Sequence, residues 1–270
     1  MPFITTNDGV EINYEERGSG PALLLIHGWS SNGTFFRHNV EGLAKDFRVI
    51  VMDLRGHGQS DTPKSGYRIA RMAKDVWDLI GALDLRDTAV LGWAMGASIL
   101  WSYMELFGTE HLSKAVFVNQ SPRQYYTKDW KWGQVGCFDA ESLAVLSTRL
   151  KYDPIGVARE LLGEFVAERL PEEDEDELLN EILKCPSWVR AEMMTAHTNL
   201  DWRSFLPNIA LPTMVVVGRR NQLFPWQGCA YVAEQIPEAR LEILEDSGHM
   251  PFFEEPERFN AVVRDFLSSG

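Results

Sequence analysis

The chain has 270 residues and carries 39 Asp and Glu against 26 Lys and Arg, a net charge of −13. That balance argues against a nucleic-acid or anionic-membrane surface, because both require clustered Lys and Arg. An apolar fraction of 45% with nine Trp is ample for a sizeable core, and the length suits one large α/β domain with an insertion. Cys137, Cys185 and Cys229 are odd in number and far apart, matching neither a disulfide framework nor a zinc site. Met1-Pro2-Phe3 opens directly into structured sequence, with no basic and apolar leader and no run long enough to span a bilayer. A cytoplasmic, reducing setting is therefore expected.

In chain order, Phe3–Thr6 and Val10–Glu15 read as a hairpin joined by Asn7-Asp8-Gly9, since Asp-Gly supplies the positive φ of a tight turn. Ala22–Ile26 is a continuous apolar run suited to a strand buried on both faces. It enters the loop His27-Gly28-Trp29-Ser30-Ser31-Asn32-Gly33, followed by a helical stretch over Thr34–Lys45. Val49–Met52 is the next buried strand, ending in the glycine-rich turn Arg55-Gly56-His57-Gly58-Gln59-Ser60. That turn lacks the Lys-Ser/Thr of a P-loop and the spacing of a dinucleotide fingerprint, so no cofactor is expected. No His/Asp/Glu cluster has metal-ligand spacing. Ile69, Met72, Ala73, Val76, Ile80 and Leu83 recur at helical spacing and lead into a further strand.

That strand runs into Gly92-Trp93-Ala94-Met95-Gly96, and an apolar, helix-permissive segment follows at once. Gly-x-Ala-x-Gly between a strand and a helix has the form of a nucleophile elbow, a sharp turn that throws its central side chain over the sheet edge. The central residue of such a turn is ordinarily Ser, Asp or Cys. Here it is Ala94, whose methyl group cannot attack anything. Either the nucleophile has been replaced, or the chain is a natural non-catalytic relative.

Ala115–Val118 is another short strand. From Pro122 to about Leu206 strand-like runs cease, and helices are expected over Glu141–Leu150, Pro154–Leu170, Glu172–Lys184 and Trp188–Leu200. The acidic run Glu172–Glu177 follows Pro171 and suits the first turn of a helix, where carboxylates complement the dipole. Strand and helix then alternate again: Thr213–Val217, Trp226–Gln235, Arg240–Leu244 and Pro256–Leu267. The expectation is an α/β fold, a doubly wound and mostly parallel sheet, with 1–121 and 207–270 as the core and 122–206 as an inserted helical cap.

Four motifs in order resemble the α/β-hydrolase superfamily, especially its capped esterases and lactonases. They are His27-Gly28-Trp29 after a strand, Arg55–Ser60, the elbow from Gly92 to Gly96, and Asp246-Ser247-Gly248-His249-Met250-Pro251. The resemblance implies that the residue at 94 would attack a carbonyl carbon and that His249 would take its proton. It implies an oxyanion hole from the backbone N–H groups of Trp29 and Met95, and loop-shaping roles for His27 and His57. His38, His111 and His197 have no motif support and read as surface or cap residues. The acid of the triad is missing from both positions where the family places it. Asn221 stands in Gly218-Arg219-Arg220-Asn221-Gln222-Leu223-Phe224-Pro225 and Asn119 in Asn119-Gln120-Ser121-Pro122. Either amide could orient an imidazole but neither could neutralise an imidazolium, and Asp246 sits too close to His249 in sequence to reach behind its ring.

An aromatic patch including Tyr125, Trp130 and Phe138 reads either as cap core or, with Trp29 and Trp93, as a candidate substrate wall. The implied activity is hydrolysis of a small carboxylic ester or lactone by a Ser-His-type mechanism, inactivated by Ala94, in a monomer or homodimer. The alternatives are a dehalogenase or epoxide hydrolase, a cofactor-free haloperoxidase or oxygenase, and a non-catalytic small-molecule binder on the same fold.

Overall fold

The computed structural model describes residues 2–269. Eight strands form one sheet: β1 (Phe3–Thr5), β2 (Glu11–Arg17), β3 (Ala22–Ile26), β4 (Arg48–Met52), β5 (Thr88–Trp93), β6 (Leu112–Val118), β7 (Thr213–Gly218) and β8 (Arg240–Leu244). Their spatial order is β1-β2-β4-β3-β5-β6-β7-β8. Only the β1–β2 and β2–β4 pairs are antiparallel. Every residue of β3, β5 and β7 is buried, which is why these strands read as unbroken apolar runs rather than alternating ones. Each Leu or Ile so buried contributes about 1.5–3 kcal/mol relative to exposure.

The flanking helices are α1 (Arg37–Leu43), α2 (Ile69–Ala82), α3 (Met95–Phe107), α4 (Ala140–Tyr152), α5 (Pro154–Phe165), α6 (Glu172–Lys184), α7 (Ser187–Thr198), α8 (Trp226–Gln235), α9 (Pro251–Glu254) and α10 (Pro256–Ser268). Of these, α4 to α7 all fall between β6 and β7 in the chain. Three stretches differ from their sequence reading. Thr34–Lys45 divides into a 3₁₀ turn over Gly33–Phe36, capped by Asn32 Oδ1 accepting from Thr34 N–H at 3.0 Å, and then α1. The helix expected to reach Leu170 stops at Phe165, whose carbonyl accepts the N–H groups of His249 and Met250 at 2.9 and 3.0 Å. Tertiary contact thus takes the place of a further helical turn. The short α9 spans too few residues for a period to show.

Below the sheet edge, Arg55 is fully buried and its guanidinium donates to Asp75 Oδ2 at 2.6 Å and Oδ1 at 2.7 Å, and to Asp8 at 3.1 Å. The turn after β4 is thereby tied to α2 and to the β1–β2 turn. His27 Nε2 accepts from Leu54 N–H at 3.0 Å, and the His57 ring lies edge-on to it with centroids 5.0 Å apart.

The start of α3 passes so close to the end of β3 that a Cβ on Gly96 would lie 2.3 Å from the Ile26 carbonyl oxygen and 2.8 Å from that of His27. Backbone atoms cannot yield as side chains do. Gly96→Ala is therefore expected to destabilise the fold by about 3 kcal/mol or more. Gly81→Ala in α2, where nothing stands within 4 Å, is expected to add about 0.5–1 kcal/mol. Urea midpoints of the two variants against the parent check both; equal midpoints would contradict the packing described.

Candidate active site

The site is assembled at the carboxyl ends of β3, β5, β6, β7 and β8, where open parallel sheets bind ligands. Parallel register sets Gly92 beside Ile26 and Trp93 beside Val118. Ala94 follows with φ 49° and ψ −121°, a conformation costly for any residue with a Cβ. It is held by its N–H donating to the Val118 carbonyl at 2.9 Å and its carbonyl accepting from Ala97 N–H at 2.8 Å. The β3 loop lies against it: a Cβ built on Gly28 would be 3.2 Å from the Ala94 methyl carbon. Met95 is the first residue of α3, so its N–H has no partner within the helix. Among the described residues, no protein acceptor takes the N–H of Met95 or of Trp29.

His249 is buried completely, and its main chain is fastened on several sides. Its N–H donates to Phe165, and its carbonyl accepts from Trp93 Nε1 at 3.0 Å and Asn119 Nδ2 at 3.1 Å. The preceding residue Gly248 donates its N–H to Glu254 Oε2 at 2.8 Å, while Glu254 Oε1 accepts from Ala167 N–H at 2.6 Å. Glu254 thus joins the histidine loop to the chain after α5, and burial raises its carboxyl to about 7. The imidazole itself packs between Phe165 at 5.3 Å, Trp93 at 5.5 Å and Phe224 at 5.9 Å, centroid to centroid. Neither ring nitrogen has a partner among the described residues. Burial pushes the ring down to about 3, so it is neutral near pH 7, with no carboxylate to favour the charged form.

Both asparagines offered as orienting residues are occupied elsewhere. Asn119 Nδ2 donates to the carbonyls of Gly248 and His249, and its Oδ1 accepts from Gly218 N–H at 3.1 Å. It holds the backbone of the histidine loop and not the ring. Two donor bonds to two carbonyls require an amide here, which a carboxylate could not replace. Asn221 Oδ1 accepts from the N–H groups of Leu223 and Phe224 at 3.0 and 3.3 Å, an Asx turn that an Asp could make equally well. Asp246 is exposed.

One cavity is lined by both Ala94 and His249. Trp29, Trp93 and Met95 line it as expected, but Tyr125, Trp130 and Phe138 do not. Trp130 is instead pinned by Nε1 donating to the Arg123 carbonyl and packs on Trp132 and Tyr231. Phe138 stacks on Tyr126 at the surface, and Tyr125 is half-buried away from the cavity. Their place is taken by Phe165, Met194, Leu223 and Phe224, together with Gln120, Gln124, Gln134 and His197.

His197, read as a surface or cap residue, lies on α7 within 122–206 and not at the surface. It is buried, with Nδ1 hydrogen-bonded to the Gln124 amide at 3.1 Å and Nε2 to Ser98 Oγ at 2.9 Å. Burial lowers it too, to about 3. No local pattern marks these residues. Only Gln120, Leu223 and Phe224 fall within motifs already singled out. Among the described residues no Asp, Glu, Lys or Arg lines the cavity, so its wall is uncharged near neutral pH.

The chain belongs to the alpha/beta hydrolase fold family, whose model matches residues 21–133 and 187–256. It is 28% identical over 268 residues to the AB hydrolase superfamily protein YisY of Bacillus subtilis, with 99% of each chain covered. It is 28% identical to the pimeloyl-[acyl-carrier protein] methyl ester esterase of Vibrio parahaemolyticus, covering 94% of this chain and 97% of that one. Among solved structures, the esterase EaEST from Exiguobacterium antarcticum superposes with a TM-score of 0.94 at 28% identity, covering 99% of both chains.

Two outcomes follow for the site. Asn119→Asp is expected to lose about 2 kcal/mol or more at pH 7, because it sets a carboxylate against two carbonyls, whereas Asn221→Asp stays within about 0.5 kcal/mol of the parent. Denaturant midpoints decide between them. His249 binds its proton in the unfolded chain below about pH 6.5 but only near pH 3 when folded. Its contribution to stability is thus complete above pH 6.5 and is lost as the pH falls towards 3. His249→Gln should flatten the decline in unfolding free energy between roughly pH 6 and 4 by about 1.4 kcal/mol per pH unit, read from urea melts at stepped pH.

Proposed function

We propose that this chain is a carboxylic-ester hydrolase site lacking its nucleophile, with lactones included as cyclic esters and residues 122–206 serving as the cap. The observation that carries this reading is the shared cavity. The Ala94 methyl and the His249 imidazole face the same space, beside the unpartnered N–H groups of Trp29 and Met95. A substrate carbonyl oxygen would dock on those two donors, which bind it more strongly as charge develops on it. With a hydroxyl at position 94, His249 would take the proton as the oxygen attacks, pass it to the alcohol oxygen as the ester C–O bond breaks, and then activate water to release the acid. With a methyl there, no acyl-enzyme forms. The matching of an esterase over 99% of both chains at 28% identity supports the reaction class.

Asn221 is the better position for a restored acid, since its present bonds tolerate a carboxylate and those of Asn119 do not. Ala94→Ser is expected to give slow hydrolysis of short aryl esters where the parent gives none, together with covalent labelling at 94 by a fluorophosphonate. Adding Asn221→Asp should raise kcat further, by up to about 10⁴. His249→Ala in that background should remove the gain. A restored serine that neither labels nor turns over any ester or lactone would favour the non-catalytic binder instead, a reading consistent with the uncharged wall.

A further inference from the structure

We infer that the cavity selects a small neutral ligand carrying both a carbonyl and a hydrogen-bond donor, such as an amide N–H or a hydroxyl, and that the carbonyl oxygens of Gln120, Gln134 and Gln124 read the donor. The inference rests on the reading above in one respect, that Trp29 and Met95 take the ligand's carbonyl oxygen; it does not require turnover.

Three glutamine side chains, each at least nine-tenths buried, line one small cavity, and the Oε1 atom of each lacks a protein partner among the described residues. For Gln120 the identity of that atom is fixed, because its Nε2 donates to the Ser121 carbonyl at 2.6 Å and a carbonyl can only accept. The Gln124 amide is held by the His197 ring, whose Nδ1 lies 3.1 Å from it and whose Nε2 lies 2.9 Å from Ser98 Oγ. Ser98 and His197 therefore act as positioning residues for Gln124. Buried acceptors of this kind favour any molecule that brings donors to them, and they penalise an isostere that lacks one.

Charge narrows the class further. With no ionised side chain in the wall, a carboxylate or ammonium would be desolvated without a counter-charge, which is strongly unfavourable. Phe165, Met194, Leu223 and Phe224 supply the apolar contact for the body of a neutral ligand.

The test is equilibrium binding to the protein as it stands, with Ala94 in place, by ligand-observed NMR titration. The probes are δ-valerolactam, which has the carbonyl and one N–H, and its N-methyl derivative and δ-valerolactone, which keep the carbonyl and lack the donor. Pentanoate serves as the charged comparator. The lactam is expected to bind about tenfold more tightly than either donor-free ring, and pentanoate not to compete. In Gln120→Met and Gln134→Met, of similar length but without the amide, the preference should shrink towards parity. The comparison of probes in the parent stands even if one variant folds poorly. Equal binding of the lactam and its N-methyl form in the parent would overturn the inference. So would a full preference persisting in both variants, or pentanoate competing as well as the lactam. If the preference holds while Ala94→Ser remains inert towards esters, the hydrolase reading fails and the ligand class survives. If Ala94→Ser turns over esters but the probes bind alike, the reverse is true.

Discussion

Helix α3 can start where it does only because nothing larger than hydrogen at residue 96 separates it from the carbonyls of Ile26 and His27. That single close approach brings the end of β5 against the end of β3. It sets the Gly28 backbone beside the Ala94 methyl, near the N–H groups of Trp29 and Met95, which have no acceptor among the described residues. The strained φ of Ala94 is the local consequence, and the bonds to Val118 and Ala97 hold it in place. An elbow of this shape serves to present a nucleophile. Here the shape persists around a methyl group.

The same separation of scaffold from chemistry appears at His249. Its backbone is tied to α5, to Trp93 and to Asn119, and Glu254 secures the residue before it, yet the ring nitrogens have no partner among the described residues. The stability of the loop comes from main-chain bonds and aromatic packing, none of which depends on the hydroxyl or the carboxylate of a triad. The cavity is therefore formed without any bond to the imidazole. What changes is electrostatic. A buried imidazole with no carboxylate behind it stays neutral and is a poor proton acceptor, as its lowered affinity for a proton indicates.

Asn119 and Asn221, equivalent as candidates in the sequence, differ in what their amides do. Asn119 uses both ends of its amide to join β6, β7 and the histidine loop, so it belongs to the framework. Asn221 uses only its oxygen in a local turn, and its weak contact to Cys229 asks little of the nitrogen. One position is fixed by packing and the other is open to exchange. The uncharged wall between them, with glutamines where an anion or cation site would need ions, shifts the recognition problem from charge to hydrogen-bond donors.

The sheet, the order of its elements, the elbow and the histidine loop were legible in the sequence. Buried parallel strands must be apolar throughout, and sharp turns against backbone must be glycine. Those requirements act on neighbouring residues and leave local patterns such as Ala22–Ile26 and Gly92–Gly96. The ligand wall was not legible. Gln120, Gln134, Phe165 and His197 come from four separate stretches of chain, and nothing in their immediate neighbours distinguishes them from surface glutamines or core aromatics. The aromatic patch at Tyr125, Trp130 and Phe138 misled for the same reason: which way a ring faces is decided by what folds over it, here Tyr231, Trp132 and Tyr126. Residue type and spacing determined the frame, while side-chain direction across distant segments, settled only by tertiary packing, decided which groups meet in the cavity.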